Sequence, residues 1–105
     1  MLTLDKEEYG IDGRAVLTVR NIWKSTILVD VDYGLSRKVD GSWVPILVKD
    51  ETRTAASRVL RPGESYTQVI KLDGLQAGEY RLRKDIHYTD PEETRAHYVG
   101  FTITG

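Results

Sequence analysis

The sequence has 105 residues, with 15 basic and 16 acidic side chains, a formal net charge of −1 and no cysteine. This length predicts a single domain, residues 1–105, that can bury one core, and the near-neutral charge excludes the basic surface typical of proteins that bind nucleic acid or anionic membranes. The lack of cysteine excludes disulfides, thiol nucleophiles and cysteine-ligated zinc.

Apolar and polar residues alternate along nearly every segment, which predicts half-buried β-strands rather than helices. Turn residues separate the alternating runs, among them Asp40-Gly41 and Pro62-Gly63. In chain order the predicted strands are A at 2–9, B at 14–20, C at 27–39, C′ at 42–48, D at 53–60, E at 64–72, F at 79–87 and G at 97–104. Short strands with this spacing predict an all-β sandwich.

Three local features refine this pattern. Strand C is too long to be regular, so Gly34 is expected to mark a bulge or a bend. The pair Asp40-Gly41 is typical of a type I′ hairpin turn, because both central residues of that turn need a positive φ. The composition of residues 50–58 also suits a helical turn, and only the strands around them favour an edge strand.

Residues 75–80, Leu-Gln-Ala-Gly-Glu-Tyr, are typical of a tyrosine corner. In an immunoglobulin-like sandwich the Tyr of this motif begins strand F, and its hydroxyl bonds to the backbone a few residues upstream. Tyr80 therefore predicts an immunoglobulin-like β-sandwich of two antiparallel sheets with seven to nine strands.

Several turns and core aromatic residues resemble those of the bacterial immunoglobulin-like domains found in exported proteins and lipoproteins of Bacillus and its relatives. The resemblance covers most of the chain and is carried by Asn21 and by residues 33–35, 40–45, 60–65, 77–82 and 101–103. It implies an accessory, spacer or interaction module of a cell-envelope protein, without a family active site.

Residues that could perform chemistry are few. His87 and His97 are the only histidines, and Asp90, Glu92 and Glu93 are the acidic residues near them in sequence. A metal site needs three or four ligands held together, so strand-end histidines are the simpler interpretation. None of the serines occupies a Gly-x-Ser-x-Gly turn. We therefore predict no catalytic residue, no metal, no cofactor and no enzyme activity.

Charged residues cluster on two predicted strands. Asp30 and Asp32 share one side of strand C, and Arg81, Arg83 and Lys84 belong to strand F. Strands C and F are neighbours in such a sandwich, so a cross-strand charge ladder accounts for both sets. A calcium site is not predicted, because the strand supplies two carboxylates to an ion that prefers six or more oxygen ligands.

The B–C, D–E and F–G connections emerge at one end of an immunoglobulin-like fold, and this end is the predicted binding surface. The connections bring together Trp23, Arg61, His87 and Tyr88. Trp, Tyr and Arg are the residue types that most often carry interface energy. A ring folded over the end of the sandwich is the alternative for Trp23, and Trp43 is interpreted as a structural cover of the sandwich.

Two function classes remain open. The first is a non-catalytic accessory, spacer or interaction domain of a cell-envelope or secreted bacterial protein, which binds a protein or a glycan and is monomeric as an isolated domain. The alternative is a proteinase inhibitor that uses the same three loops, by analogy with bacterial and protozoan inhibitors of similar fold.

The predicted location follows from the start of the sequence. Residues 1–6 lack the apolar core of a signal peptide, and no apolar run approaches the roughly 20 residues of a membrane helix. We therefore expect an extracellular or cell-surface segment that belongs to a longer exported chain, without membrane insertion, and a cytoplasmic protein is the alternative.

Overall fold

The computed structural model describes residues 1–46 and 56–105, and these two ranges form strands and turns without a helix. Accordingly, the described chain has no helix of the length and apolarity that a membrane crossing requires. The strands are β1 (Leu2–Leu4), β2 (Glu8–Gly10), β3 (Arg14–Arg20), β4 (Ile27–Asp30), β5 (Gly34–Val39), β6 (Ser42–Ile46), β7 (Ser57–Leu60), β8 (Ser65–Lys71), β9 (Gly78–Thr89) and β10 (Glu92–Thr104).

Two sheets pack against each other and form a sandwich. The smaller sheet has the strand order β1-β3-β8. In the larger sheet β2, β10, β9, β4 and β7 follow one another, and β5 pairs with both β9 and β6. The pairing of β2 with β10 is parallel, and the other described pairings are antiparallel. The all-β sandwich of two packed sheets that the sequence predicts is confirmed.

Predicted strand A, residues 2–9, is divided between the two sheets. β1 pairs with β3 in the smaller sheet, whereas β2 pairs with β10 in the larger one. Asp5 lies between them, and its Oδ1 accepts hydrogen bonds from the Tyr9 hydroxyl at 2.6 Å and from the backbone N–H of Val16 at 2.9 Å. The prediction of one continuous strand was wrong, because this carboxylate holds the segment where it changes sheet.

Predicted strand C, residues 27–39, is interrupted after β4, and the chain resumes as β5 at Gly34. The Lys84 ammonium group donates hydrogen bonds to the carbonyl oxygens of Asp30, Val31 and Asp32, at 2.6, 2.7 and 3.1 Å. Buried carbonyl groups need a partner, and here one lysine replaces the strand partner. The irregularity expected near Gly34 is therefore a break that a side chain from β9 stabilises.

Lys84 does not belong to an exposed charged face, so this part of the predicted charge ladder was wrong. Its side chain is fully buried, because alternation along β9 directs Lys84 inward and Arg81 and Arg83 outward. Burial lowers the pKa of Lys84 to about 8, and the negative charges of Asp30 and Asp32 act in the opposite direction. The core thus contains one cation that is held by backbone carbonyls.

β9 and β10 are much longer than predicted strands F and G. They pair continuously from Thr89 with Glu92 to Gly78 with Ile103, around a turn at Asp90-Pro91. Most of the predicted F–G loop is therefore strand, since its exposed polar residues pair across the hairpin. Residues 47–48 of predicted strand C′, 53–55 of predicted strand D and most of the ambiguous stretch 50–58 lie outside the described residues.

The core lies between the sheets and is built from the inward residues of the alternating strands. The Tyr80 and Phe101 rings stack with centroids 5.5 Å apart, and Tyr9 meets Phe101 edge-on at 5.8 Å. Aliphatic side chains complete the core, including Leu17, Val19, Val29, Leu35, Ile70, Leu72, Leu82, Ile86 and Ile103. This core fixes the strands whose connections carry the candidate site.

Candidate functional site

The connection between β3 and β4, residues 21–26, is organised by the buried side chain of Asn21. Its amide nitrogen donates to the carbonyl oxygens of Ser25 at 2.9 Å and Leu60 at 3.0 Å. Its amide oxygen accepts a hydrogen bond from the backbone N–H of Trp23 at 2.8 Å. This is the local turn that Asn favours, in which the side chain bonds to the backbone two residues on. The turn fixes the backbone at Trp23.

The turn between β7 and β8, residues 61–64, lies against this connection. The Gly63 N–H donates to the carbonyl oxygen of Asn21 at 2.8 Å, and the Asn21 N–H donates to that of Glu64 at 2.9 Å. Within the turn, the Arg61 N–H donates to Glu64 Oε1 at 2.7 Å. The exposed Arg61 side chain therefore stands on a turn that hydrogen bonds tie to the Trp23 connection.

The β9–β10 hairpin supplies the second side of the site. The Trp23 indole N–H donates to the carbonyl oxygen of Asp90 at 3.1 Å. The rings of Trp23 and Tyr88 meet edge to face, with centroids 5.7 Å apart and an interplanar angle of 79°. The Tyr88 hydroxyl lies 3.0 Å from His97 Nε2. We call Trp23 and Tyr88 the aromatic corner. The indole N–H of Trp23 and the hydroxyl of Tyr88 both have a hydrogen-bond partner.

Charged groups surround the aromatic corner. The Lys24 ammonium lies 5.7 Å from the centre of the Trp23 ring, and Arg95, which pairs with Glu93 at 3.0 Å, lies 6.0 Å from the centre of the Tyr88 ring. The space between these groups has a volume of about 250 Å³ and is lined by Trp23, Lys24, Tyr88, Pro91, Glu93 and Arg95. The site offers aromatic faces and charges of both signs.

The environment of His97 supports the geometry of the corner. Burial is the main cause that lowers the pKa of His97, and the positive charges of the N-terminus and Arg95 act in the same direction. The imidazole is therefore neutral at pH 7. A neutral ring nitrogen can accept the hydrogen bond of the Tyr88 hydroxyl, which fixes the orientation of the Tyr88 ring.

His87 and Tyr88 lie on opposite faces of β9, because side chains alternate along a strand. His87 Nδ1 lies 2.8 Å from Thr94 Oγ1, and Nε2 lies 3.1 Å from Asp30 Oδ1 on the outer face of the larger sheet. The structure thus brings Trp23 and Tyr88 together, places Arg61 on the adjoining turn and directs His87 away from the space at the corner. Asp30, expected to pair with a cation of strand F, contacts His87 and also accepts a hydrogen bond from Ser57.

From the sequence, Arg95 was not singled out, and Glu93 and Asn21 were named for other reasons than a role at this site. Glu93 pairs directly with Tyr88 across the hairpin, and Arg95 follows two residues later on the same face. Residues 93, 95 and 97 alternate along β10 and therefore share the face of Tyr88. A longer predicted hairpin would have placed Glu93 and Arg95 at the site. Asn21 also had a recognisable signal, because Asn directly after a strand often forms such a turn.

No group of three or more His, Asp or Glu side chains in the two described ranges is arranged to hold a metal ion. Two of the side chains considered for a metal site have other partners: Glu93 pairs with Arg95, and His97 contacts Tyr88. The chemistry that the described side chains offer at this end is recognition through aromatic faces, hydrogen bonds and charge.

Comparison with protein families finds that the family described as bacterial Ig-like domain matches residues 1–99. Comparison with curated proteins finds no significant match to this chain.

Proposed function

Because the chain belongs to the bacterial Ig-like domain family, we propose that it is a non-catalytic accessory module that binds a protein or a glycan at the end formed by residues 21–26, 61–64 and 90–91. We call this end the loop end. The observation that carries the proposal is the aromatic corner, whose two rings are held at right angles by hydrogen bonds to the Asp90 carbonyl and to His97.

The aromatic corner has the properties of a preformed recognition site. Trp23 is 41% exposed although its indole N–H is already bonded, so the exposed part is the apolar ring surface. Fixing a side chain on binding costs conformational entropy, and the hydrogen bonds at both rings have removed much of that freedom beforehand. A partner therefore meets a surface that needs little reorganisation.

The dimensions of the site limit what it can hold. Pockets for drug-sized ligands usually enclose about 300–1,000 Å³, and the space at the corner is smaller, at about 250 Å³. It fits one sugar ring or one peptide side chain better than a complete cofactor. Aromatic faces stack on either group, and Lys24 and Arg95 offer charges for a carboxylate.

Export of the parent protein is part of the same proposal. Bacterial Ig-like domains are common in exported proteins, and the absence of cysteine leaves this chain independent of disulfide formation. A partner at the cell surface or outside the cell, such as a wall glycan or an exposed protein, is consistent with that location.

The test is a heteronuclear NMR titration of the domain with two probes, soluble peptidoglycan fragments and a chitin hexamer. We expect peak shifts at residues 21–26 and 88–95, loss of binding in Trp23→Ala and retention in Ile22→Ala, which removes a neighbour that is more exposed, at 64%. Shifts confined to Asp40-Gly41 and Asp73-Gly74, at the opposite end, would contradict the assignment of the binding surface.

A proteinase inhibitor is the second candidate, and the rigidity of the loop end favours it. Hydrogen bonds join residue 63 to Asn21 and Trp23 to Asp90, so the three connections form one unit. Inhibitors that insert loops need such rigidity, because a flexible loop would lose affinity on ordering. Assays against papain and subtilisin separate the two candidates: inhibition at a stoichiometric ratio that is lost in Trp23→Ala would replace the accessory-module proposal.

A further inference from the structure

A second cluster of aromatic and charged side chains lies on the outer face of the larger sheet, away from the loop end. The Arg81 guanidinium carbon lies 4.8 Å from the centre of the Trp43 ring and 4.3 Å from the centre of the Tyr98 ring. Trp43 belongs to β6, Arg81 to β9 and Tyr98 to β10. We call these three residues the arginine clamp, in which one cation lies between two rings.

Arg81 differs from its cationic neighbours in having no acidic partner among the described residues. On the same face Lys38 pairs with Glu79 at 3.7 Å, and Arg83 pairs with Asp85 at 3.0 Å. The Nε atom of Arg81 is buried and makes no hydrogen bond to the described residues. The charge of Arg81 is thus partly withdrawn from water, and its contacts among the described residues are the two aromatic rings.

In the clamp the guanidinium group of Arg81 lies over two aromatic rings. Stacking on aromatic faces is a favoured arrangement for Arg, and its planar fork matches a carboxylate in a bidentate pair. Directly across from Arg81 on β10 lies Gly100, which has no side chain to cover the site. Tyr98 is 48% exposed, so a partner can reach the clamp from the solvent.

We propose that the arginine clamp is a docking point for a protein partner that presents an Asp or Glu carboxylate to Arg81. Trp, Tyr and Arg are the residue types that dominate the energy of protein interfaces, and such centres are framed by contacts of little energy. Here the ion pair of Lys38 with Glu79 provides part of that frame. The complementary group must be negative, because Arg81 is the one cation of the three that lacks an acid in the described chain.

A second copy of this chain does not fit the clamp. A two-fold contact centred on this face would place the two Arg81 side chains against each other, and like charges that meet across an interface are unfavourable. A symmetric pair joined through this face is therefore unfavourable, so the partner we propose is a different protein, and this surface is separate from the aromatic corner.

The test uses a phage-displayed library of random twelve-residue peptides selected on the intact domain. We expect enriched peptides to contain Asp or Glu and to bind at least tenfold more weakly to Arg81→Gln and to Arg81→Lys, which keeps the charge but lacks the planar fork. The matched control is Arg83→Gln, which removes the same charge from the same strand and is expected to leave binding within about twofold.

Binding is measured by isothermal titration calorimetry with synthetic copies of the enriched peptides, and urea unfolding confirms that each variant is folded. Enriched peptides without an acidic residue, equal affinity for the wild-type domain and Arg81→Gln, an equal loss in Arg83→Gln, or a library without binders would each overturn the proposal. A peptide whose binding depends on Trp23 rather than Arg81 would assign recognition to the loop end alone.

Discussion

The Tyr80 hydroxyl donates a 2.6 Å hydrogen bond to the carbonyl oxygen of Gln76, four residues upstream. This is the contact expected of a tyrosine corner. Arg37 binds the same segment from β5, since it donates to Gln76 Oε1 at 3.1 Å and to the Ala77 carbonyl oxygen at 3.0 Å. The crossover from β8 to β9 is therefore held by a buried Tyr on one side and by an Arg on the other.

We expect Tyr80→Phe to lower the free energy of unfolding by about 0.5–3 kcal/mol, because the Gln76 carbonyl loses its partner. Urea midpoints measure the effect. The control is Tyr98→Phe, whose ring is 48% exposed and whose hydroxyl makes no hydrogen bond to the described residues, and a change within about 0.5 kcal/mol is expected there. Equal losses in the two variants would show that the Tyr80 hydroxyl does not stabilise the crossover.

Gly78 is required at the start of β9 by both its conformation and its surroundings. Its φ is +155°, and a Cβ atom at this position would lie 2.9 Å from Arg37 Nε. Gly78→Ala should therefore destabilise the domain by about 1–3 kcal/mol. Gly10→Ala is the control, since an added Cβ there meets no atom within 4 Å.

The double variant Gly78→Ala, Arg37→Ala separates the two causes. If the contact with Arg37 contributes, the two losses in unfolding free energy will be less than additive. Strict additivity would show that backbone strain at residue 78 accounts for the whole effect.

Asn21 should stabilise both the fold and the candidate site. Asn21→Ala leaves the carbonyl oxygens of Ser25 and Leu60 without this donor, and we expect a loss of about 2 kcal/mol or more in unfolding free energy. The Trp23 indole N–H signal should also broaden or shift in NMR spectra, since the turn that fixes Trp23 is removed. Ile22→Ala, at an exposed position of the same connection, should leave stability and the Trp23 signal nearly unchanged. An unchanged indole signal in Asn21→Ala would contradict the positioning role.

Lys84 should titrate well below an ordinary lysine. Burial lowers its pKa to about 8 from 10.5, so between these two pH values the unfolded chain binds more protons than the folded one. The contribution of Lys84 to the free energy of unfolding therefore rises with pH across that window and stops rising above pH 10.5. Tyr9 has the opposite effect at higher pH: burial raises the pKa of its hydroxyl from 10.0 to about 12, so the free energy of unfolding falls as the pH rises between these two values.

The Lys84 prediction is measured by NMR titration of the lysine side-chain signals and by urea unfolding at pH 7.5 and 9.5. One lysine should titrate near pH 8. Between pH 7.5 and 9.5 the free energy of unfolding should gain a contribution from Lys84 that is missing in Lys84→Met. That variant should also be less stable at both pH values, because three carbonyl groups lose their donor. A Lys84 signal that titrates above pH 10 would contradict the effect of burial.

Alternation of apolar residues was enough to predict most strands and their inward faces. The hairpin turn at Asp40-Gly41 was also predictable, and both residues have positive φ, at 50° and 82°. An irregularity in strand C was expected from its length, but its cause was not predictable, because the residue responsible lies 52 to 54 positions away. Lys84 was interpreted as a surface charge from its residue type. A buried cation is rare enough that sequence alone does not suggest it.

The candidate site could be predicted only in part. Residue type pointed to Trp23 and Tyr88, and the fold brings them into contact. The sequence did not show that His87 points away from the site while Tyr88 lines it. That difference depends on β9 continuing through both residues, which places them on opposite faces of the strand. The arginine clamp was beyond prediction, since Trp43, Arg81 and Tyr98 come from three strands whose register is set by tertiary structure.

The parallel pairing of β2 with β10 has a mechanical consequence. Thr102, Ile103 and Thr104 lie opposite Glu8, Tyr9 and Gly10, and the two strands run in the same direction. A tensile force on residues 1 and 105 pulls β2 from its beginning and β10 from its end, so the hydrogen bonds between them are loaded in shear. Bonds loaded in this way share the force and must rupture together, whereas a hairpin pulled apart at its open end loses one bond at a time. The parallel pairing of β2 with β10 thus gives the domain resistance to a force along the line of the chain.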